Sequence, residues 1–193
     1  MRRLIVIELL SLDGVMQAPA GPDEDTEGGF RHGGWSREYF DETSAAAAAE
    51  GIAGTDAYLF GRKTYENMAA YWPTAPPDDP FAKSLNNTTK YVASRTLKKL
   101  EWRNSILIEG DVAKAVAELK DRPGGNIAVL GSGDLVQTLI ESDLIDAYSL
   151  TVNPIALGGG KRLFRNPEQS TRLRLVDSQT TSKGSLLLTY EPE

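Results

Sequence analysis

Residues 128–143 read AVLGSGDLVQTLIESD. An apolar run ends at Gly131-Ser132-Gly133 and a helical pattern begins at once. Leu135, Val136, Leu139 and Ile140 fall on one face, and Gln137, Thr138 and Glu141 on the other. A strand that hands directly to a helix is the repeating unit of a parallel α/β sheet. The junction recurs in DAYLFGRKTYENM, residues 56–68, where a second apolar run ends at Gly61 and a helix opens on Arg62, Lys63 and Thr64.

Working outward, strand-like runs appear at 4–10, 57–60, 91–93, 106–108, 127–130 and 150–152. Amphipathic segments lie between several of them. In residues 111–120, Asp111 is an N-cap and Val112, Ala115, Val116 and Leu119 form the apolar face, with Pro123-Gly124-Gly125 as the stop. The alanine run 45–49 reads as helix, since alanine is the best helix former. At the end, 173–181 and 186–190 are separated by only four residues, which leaves room for an antiparallel hairpin and no crossover. The expected fold is α/β, three-layer, with a mainly parallel sheet flanked by helices and a C-terminal antiparallel hairpin, in a single domain over 1–193. Residues 17–35, rich in Gly, Pro and acid, read as a flexible lid, and 73–80, PTAPPDDP, as a stiff connection.

The bulk composition narrows the function. The 193 residues are 40% hydrophobic and 25% charged, ordinary for a globular protein. A net charge of −6 argues against a nucleic-acid or anionic-membrane binder, both of which need basic surfaces. With no cysteine and one histidine, thiolate zinc sites, cysteine nucleophiles and a Ser-His triad drop out, and no metal site is expected. Two arginines and an apolar stretch at the N-terminus imitate a secretory signal, but Glu8 and Asp13 interrupt it, so a buried first strand in a cytoplasmic protein is expected.

The two elbows carry chemistry. The first turn of a helix has unpaired N–H groups and the positive end of the dipole, so Arg62 and Lys63 sit there at a cost unless an anion is near. A phosphate would meet backbone donors, the Thr64 hydroxyl and two cations together. A third strand end, at Ser94-Arg95, repeats the hydroxyl-plus-cation pattern. Ligands bind parallel sheets at the carboxyl ends of their strands, and several phosphate positions at that edge point to a dinucleotide. The structural alternative for any one elbow is a tight turn that only glycine fits.

The ordered motifs SLDG (11–14), GRKTYE (61–66), VASRTL (92–97), VLGSGDLV (129–136) and LTVNPIALGGGKRLF (150–164) resemble the dihydrofolate-reductase-like superfamily. Within it, the chain is most similar to the RibD C-terminal family, the reductase domain of the riboflavin-biosynthesis protein. The resemblance implies NADPH as hydride donor, a small heterocyclic or ribosyl substrate such as 5-amino-6-(5-phosphoribosylamino)uracil, and a homodimer. It implies cofactor phosphates at Gly61, Arg62, Lys63 and Thr64, the adenosine 2′-phosphate at Ser94 and Arg95, and the pyrophosphate at Gly131, Ser132, Gly133, Asp134, Leu135 and Val136. The pattern departs at Ser36, where dihydrofolate reductases carry a pterin-binding acid, and at Ile7, where riboflavin-pathway reductases carry lysine. An Asp-Asn-Pro signature after the second elbow is also replaced by Glu66-Asn67-Met68. A pteridine or dihydrofolate reductase and a non-catalytic NADP(H)-binding module are the alternatives.

Hydride transfer needs a proton source, and Asp13 and Glu66 are the candidates. Asp13 reads equally as an Asp-Gly turn, and Glu66 as a surface residue. Trp35, Tyr39 and Tyr65 are the candidates for a wall against a flat substrate ring, with Trp72 near them and Phe40 expected in the core. Asp41 is expected on the exposed side of the first helix.

Overall fold

The computed structural model describes residues 1–165 and 170–193. The strands are β1 (Leu4–Ser11), β2 (Thr55–Gly61), β3 (Thr89–Ala93), β4 (Ser105–Ile108), β5 (Asn126–Leu130), β6 (Ala147–Asn153), β7 (Leu173–Thr180) and β8 (Leu186–Pro192). The helices are α1 (Glu42–Ala53), α2 (Arg62–Tyr71), α3 (Pro80–Asn87), α4 (Val112–Asp121) and α5 (Gly133–Glu141). Strand order is β4-β3-β2-β5-β1-β6-β8-β7. The chain divides into two compact units, Met1–Val6 with Ala48–Asp146, and Ile7–Ala47 with Ala147–Glu193.

The first unit holds the parallel ladder: β2 pairs in parallel with both β3 and β5, and β3 with β4. Four successive residues of β2, Ala57 to Phe60, are buried, as expected of a strand covered on both faces. The apolar face foreseen for α5 is buried at Leu135, Val136, Leu139 and Ile140, and Asp111 caps α4 by accepting from the Lys114 amide. An unforeseen helix, α3, follows the proline-rich stretch. Its start is encoded by Asp79-Pro80: the carboxylate accepts from the Phe81 and Ala82 amides, and proline fits the first helical position.

Beneath α3 lies a fully buried lysine. Lys90 donates to the carbonyls of Leu85 (2.6 Å) and Thr88 (2.8 Å), and its ammonium sits 4.6 Å from the centre of the Trp102 ring. Burial, with the Arg103 charge nearby, lowers its pKa to about 8. Trp102 in turn donates to Asn86 Oδ1 and stacks on Phe60, which stacks on Tyr58, with 7° between successive planes.

The second unit holds the antiparallel finish, in which β8 pairs with β6 and with β7. Trp35 is buried and donates its indole N–H to the Gln17 carbonyl at 2.8 Å. Segment 17–36 is tied down at several points. The buried Gln17 amide bonds the carbonyls of Asp25 and Glu27 and the amide of Lys161, and the Lys161 ammonium is clasped by the carboxylates of Asp25 and Glu27. Two expectations need correction. Phe40 is 57% exposed and does not pack in the core, because the turn Arg37–Tyr39 leads its side chain to solvent. Asp41 precedes α1 and does not sit on its outer face; its carboxylate accepts from the Ser44 amide and hydroxyl and from the Ser182 hydroxyl.

Candidate functional site

Because β2 and β5 run parallel as neighbours, the helices that follow them both start at the same edge of the first unit. The N-termini of these helices differ from those of their neighbours. An aspartate caps α3 and another caps α4, whereas α2, after Gly61, and α5, after Ser132, carry no side-chain cap. Helix geometry gives the amides of residues 62–64 and 133–135 no acceptor within their own helices. Two adjacent dipole ends with uncapped amides make a rim suited to phosphate.

The chain reaches this geometry through two consecutive left-handed residues, Gly131 (φ 57°) and Ser132 (φ 63°, ψ 41°). A Cβ on Gly131 would stand 3.3 Å from Thr64 Oγ1, so glycine is favoured there by both its left-handed conformation and the close approach. Ser132 donates its amide to Thr64 Oγ1 (3.0 Å) and its hydroxyl to the Leu130 carbonyl (3.1 Å), and accepts from the Gly61 amide (2.9 Å).

The remaining rim residues divide by what their groups already do. Leu135 and Val136 bury their side chains, and the Val136 amide donates to the Ser132 carbonyl, which leaves it no role toward a ligand. Asp134 is exposed in the first turn of α5. Arg62 pairs with Glu66 at 2.8 Å across one helical turn, which offsets the cost of a cation at the helix start without any ligand. The Ser94 hydroxyl closes its own turn by accepting from the Thr96 and Leu97 amides, and Arg95 is exposed beside it. Lys63 is exposed in the first turn of α2. Tyr65 is buried; its hydroxyl accepts from the Trp102 amide at 3.1 Å, and both residues border a cleft of about 1050 Å³ also lined by α3.

In the second unit, Asp13 is fully engaged. Its carboxylate accepts from the Ser11 hydroxyl (2.7 Å) and from the amides of Leu157 (3.0 Å) and Gly158 (2.9 Å), and Arg162 lies at 3.5 Å. The Ser11 hydroxyl first, then the Leu157 amide, hold its carboxyl well below the usual carboxylate range. A carboxylate held in its ionised form is a poor proton donor, and the turn at 157–158 is what it organises. Glu66, the other acid, is exposed and committed to Arg62. Tyr39 is half-buried, and Trp35 presents a core contact and not an open ring face. His32 stacks edge-on to Phe30 and borders a cavity of about 490 Å³ walled by Gly28, Gly29, Gly159 and Gly160. Lys161 and Arg162 were visible only as members of the motif at 150–164, because the partner of each lies more than 130 residues away.

The family model for the RibD C-terminal domain matches residues 2–187. The chain belongs to the RibD C-terminal domain family. The uncharacterized protein YyaP of Bacillus subtilis is 32% identical over 138 residues, covering 70% of this chain and 73% of its own length. YwjB of the same organism is 31% identical over 120 residues, 62% of this chain and 64% of its own. Among solved structures, a candidate riboflavin biosynthesis protein from Shewanella sp. PV-4 superposes with a TM-score of 0.72 at 23% identity, covering 99% of both chains. A pyrimidine reductase-like protein from Corynebacterium diphtheriae gives a TM-score of 0.66 at 15% identity, covering 100% of this chain and 92% of the other. At such identities the likeness is one of fold, and it agrees with the expected α/β architecture, a mainly parallel sheet with a C-terminal antiparallel hairpin. Among the described residues, no helix of this RibD C-terminal domain is long and apolar enough to cross a membrane, and no group of acidic or histidine side chains could hold a metal ion.

Proposed function

We propose that this chain is an NADPH-dependent reductase that acts on a small heterocyclic or ribosyl substrate in the cytoplasm. The observation that carries the reading is the pair of uncapped helix N-termini, α2 and α5, side by side on parallel strands and buttressed by Gly131 and Ser132. The cofactor, when bound, supplies the hydride. The chain's part is to hold its phosphates: first-turn amides at 62–64 and 133–135 donate to anionic oxygens, and Arg62 and Arg95 meet a 2′-phosphate. The Arg62–Glu66 pair does not prevent this. Both partners are more than 40% exposed, and such pairs contribute only about 0–1 kcal/mol, less than a guanidinium gains from a dianion.

A second reading, a domain that holds NADP(H) without turnover, is favoured by one observation: both sequence candidates for the proton donor, Asp13 and Glu66, are engaged elsewhere. On the reductase reading the proton then comes from solvent or from the substrate's own acidic group, and Asp13 serves by holding the 157–158 turn. A homodimer belongs to the same proposal, with the β7–β8 hairpin as its face, since Leu175, Val176 and Leu186 are exposed there.

Calorimetry with NADPH and NADH tests the cofactor. Preference for NADPH by tenfold or more is expected, and equal affinity would reject the 2′-phosphate assignment. NADPH oxidation followed over a panel of pterins, pyrimidine ribosides and small carbonyls then separates the two readings: binding without oxidation of any acceptor selects the module.

A further inference from the structure

We propose that Thr64 and Ser132 are positioning residues that lock the two phosphate-facing elbows into one rigid rim. This inference rests on the cofactor reading above and assigns these hydroxyls a task other than touching the ligand.

Ser132 is the central piece. As a non-glycine residue at φ 63° it occupies a conformation that L side chains rarely adopt, and such outliers persist where surrounding contacts over-determine them. Here the contacts are specific. The left-handed turn swings the Ser132 amide away from α5 and onto Thr64 Oγ1, in the first turn of α2. It also sets the Ser132 hydroxyl between the Leu130 carbonyl, to which it donates, and the Gly61 amide, from which it accepts. Each elbow thus supplies a hydrogen-bonding partner to the other, across 68 to 71 residues of sequence. Gly131 leaves Thr64 the space to take part, since a Cβ would crowd the same hydroxyl. The only donor hydrogen of the Ser132 hydroxyl goes to Leu130, so it has none to offer a phosphate. The first-turn amides of both helices are held in fixed relative orientation before any ligand arrives, which lowers the ordering cost of binding.

The test uses Thr64→Val, Thr64→Ser, Ser132→Gly and the Thr64→Val/Ser132→Gly double variant of the full chain. Glycine suits the left-handed conformation, so Ser132→Gly removes the hydroxyl without adding strain. In cofactor-free protein, amide hydrogen exchange at Ser132 and also at Gly61, which Thr64 does not touch, is expected to rise at least tenfold in Thr64→Val and to return in Thr64→Ser. NADPH affinity by calorimetry is expected to fall at least tenfold in Thr64→Val and in Ser132→Gly, with the double variant no weaker than the weaker single one. Unchanged exchange at Gly61 in Thr64→Val, or affinity losses that simply multiply in the double variant, would overturn the proposal. Failure of the unmodified chain to bind NADPH overturns the cofactor reading instead, and the exchange measurements still decide whether the brace exists.

Discussion

Replacing Glu8 with methionine should make the protein more stable, and increasingly so as the pH rises. Glu8 sits in β1 on the same side as the buried Val6 and Leu10, is only 5% exposed, and its Oε1 has no hydrogen-bond partner among the described residues. Burial, reinforced by the negative charge of Glu24, raises its pKa well above the ordinary value of 4.5. A buried oxygen without a partner costs about 1–3 kcal/mol, and methionine fills nearly the same volume without it. In a chain of this size that range corresponds to a rise in Tm of roughly 2–12 °C. The direction of the pH effect follows from linkage. The folded state binds the Glu8 proton more tightly than the unfolded state, so its contribution is most favourable below about pH 4.5 and is lost as pH rises through the folded pKa. Urea denaturation of both proteins from pH 4 to pH 9 measures the difference. The gap should be smallest at the acid end and widen upward. A variant less stable at every pH, or a gap independent of pH, would refute the argument and mean that Glu8 has a partner that offsets its burial.

Lys90 should show the mirror-image dependence. Its pKa is lowered from 10.5 to about 8, so the folded state binds less proton than the unfolded state between those values, and stability relative to Lys90→Met should rise as pH climbs from 8 to 10.5; a flat difference in chemical denaturation would contradict it. For Asp13→Asn, the expected outcome is a Tm lower by several degrees from the weakened 157–158 turn, with the shape of any pH–activity profile near neutrality unchanged, because a carboxyl held ionised does not titrate there. Loss of a neutral-range limb in that profile would restore Asp13 as the acid. If the β7–β8 face joins two copies, Leu175→Glu should yield monomers by sedimentation while the fold is kept; an unchanged sedimentation coefficient would move the interface elsewhere or remove it.

The strands and most helices were legible because their signals are local. A short apolar run, a glycine and an amphipathic stretch follow one another closely at both elbows, and period and punctuation are enough to read them. Helix α3 was hidden by the proline density of the segment before it, although Asp79-Pro80 is itself a start signal. At the site, the glycines announced where a ligand could approach, but the bond from Ser132 to Thr64 depends on a serine adopting a conformation that sequence assigns to glycine or asparagine. Asp13 illustrates the opposite failure. An Asp-Gly pair was visible, and the Ser11 hydroxyl that leads in holding its carboxyl ionised is local, yet the Leu157 and Gly158 amides that complete its shell come from about 145 residues further along. Aromatic residues misled for a similar reason: Trp35 and Phe40 are five apart, and which of them turned inward was set by a single 3-10 turn between them.

The parallel rings of Tyr58, Phe60 and Trp102, ending beneath the Lys90 ammonium, have an optical consequence. Light absorbed by Tyr58 can be handed down the stack to Trp102, whose emission then responds to whether the overlying amine carries charge. Trp35, sequestered in the other unit, answers to different surroundings. Two single-tryptophan variants would therefore let a fluorimeter follow the melting of each unit in turn, with no label attached.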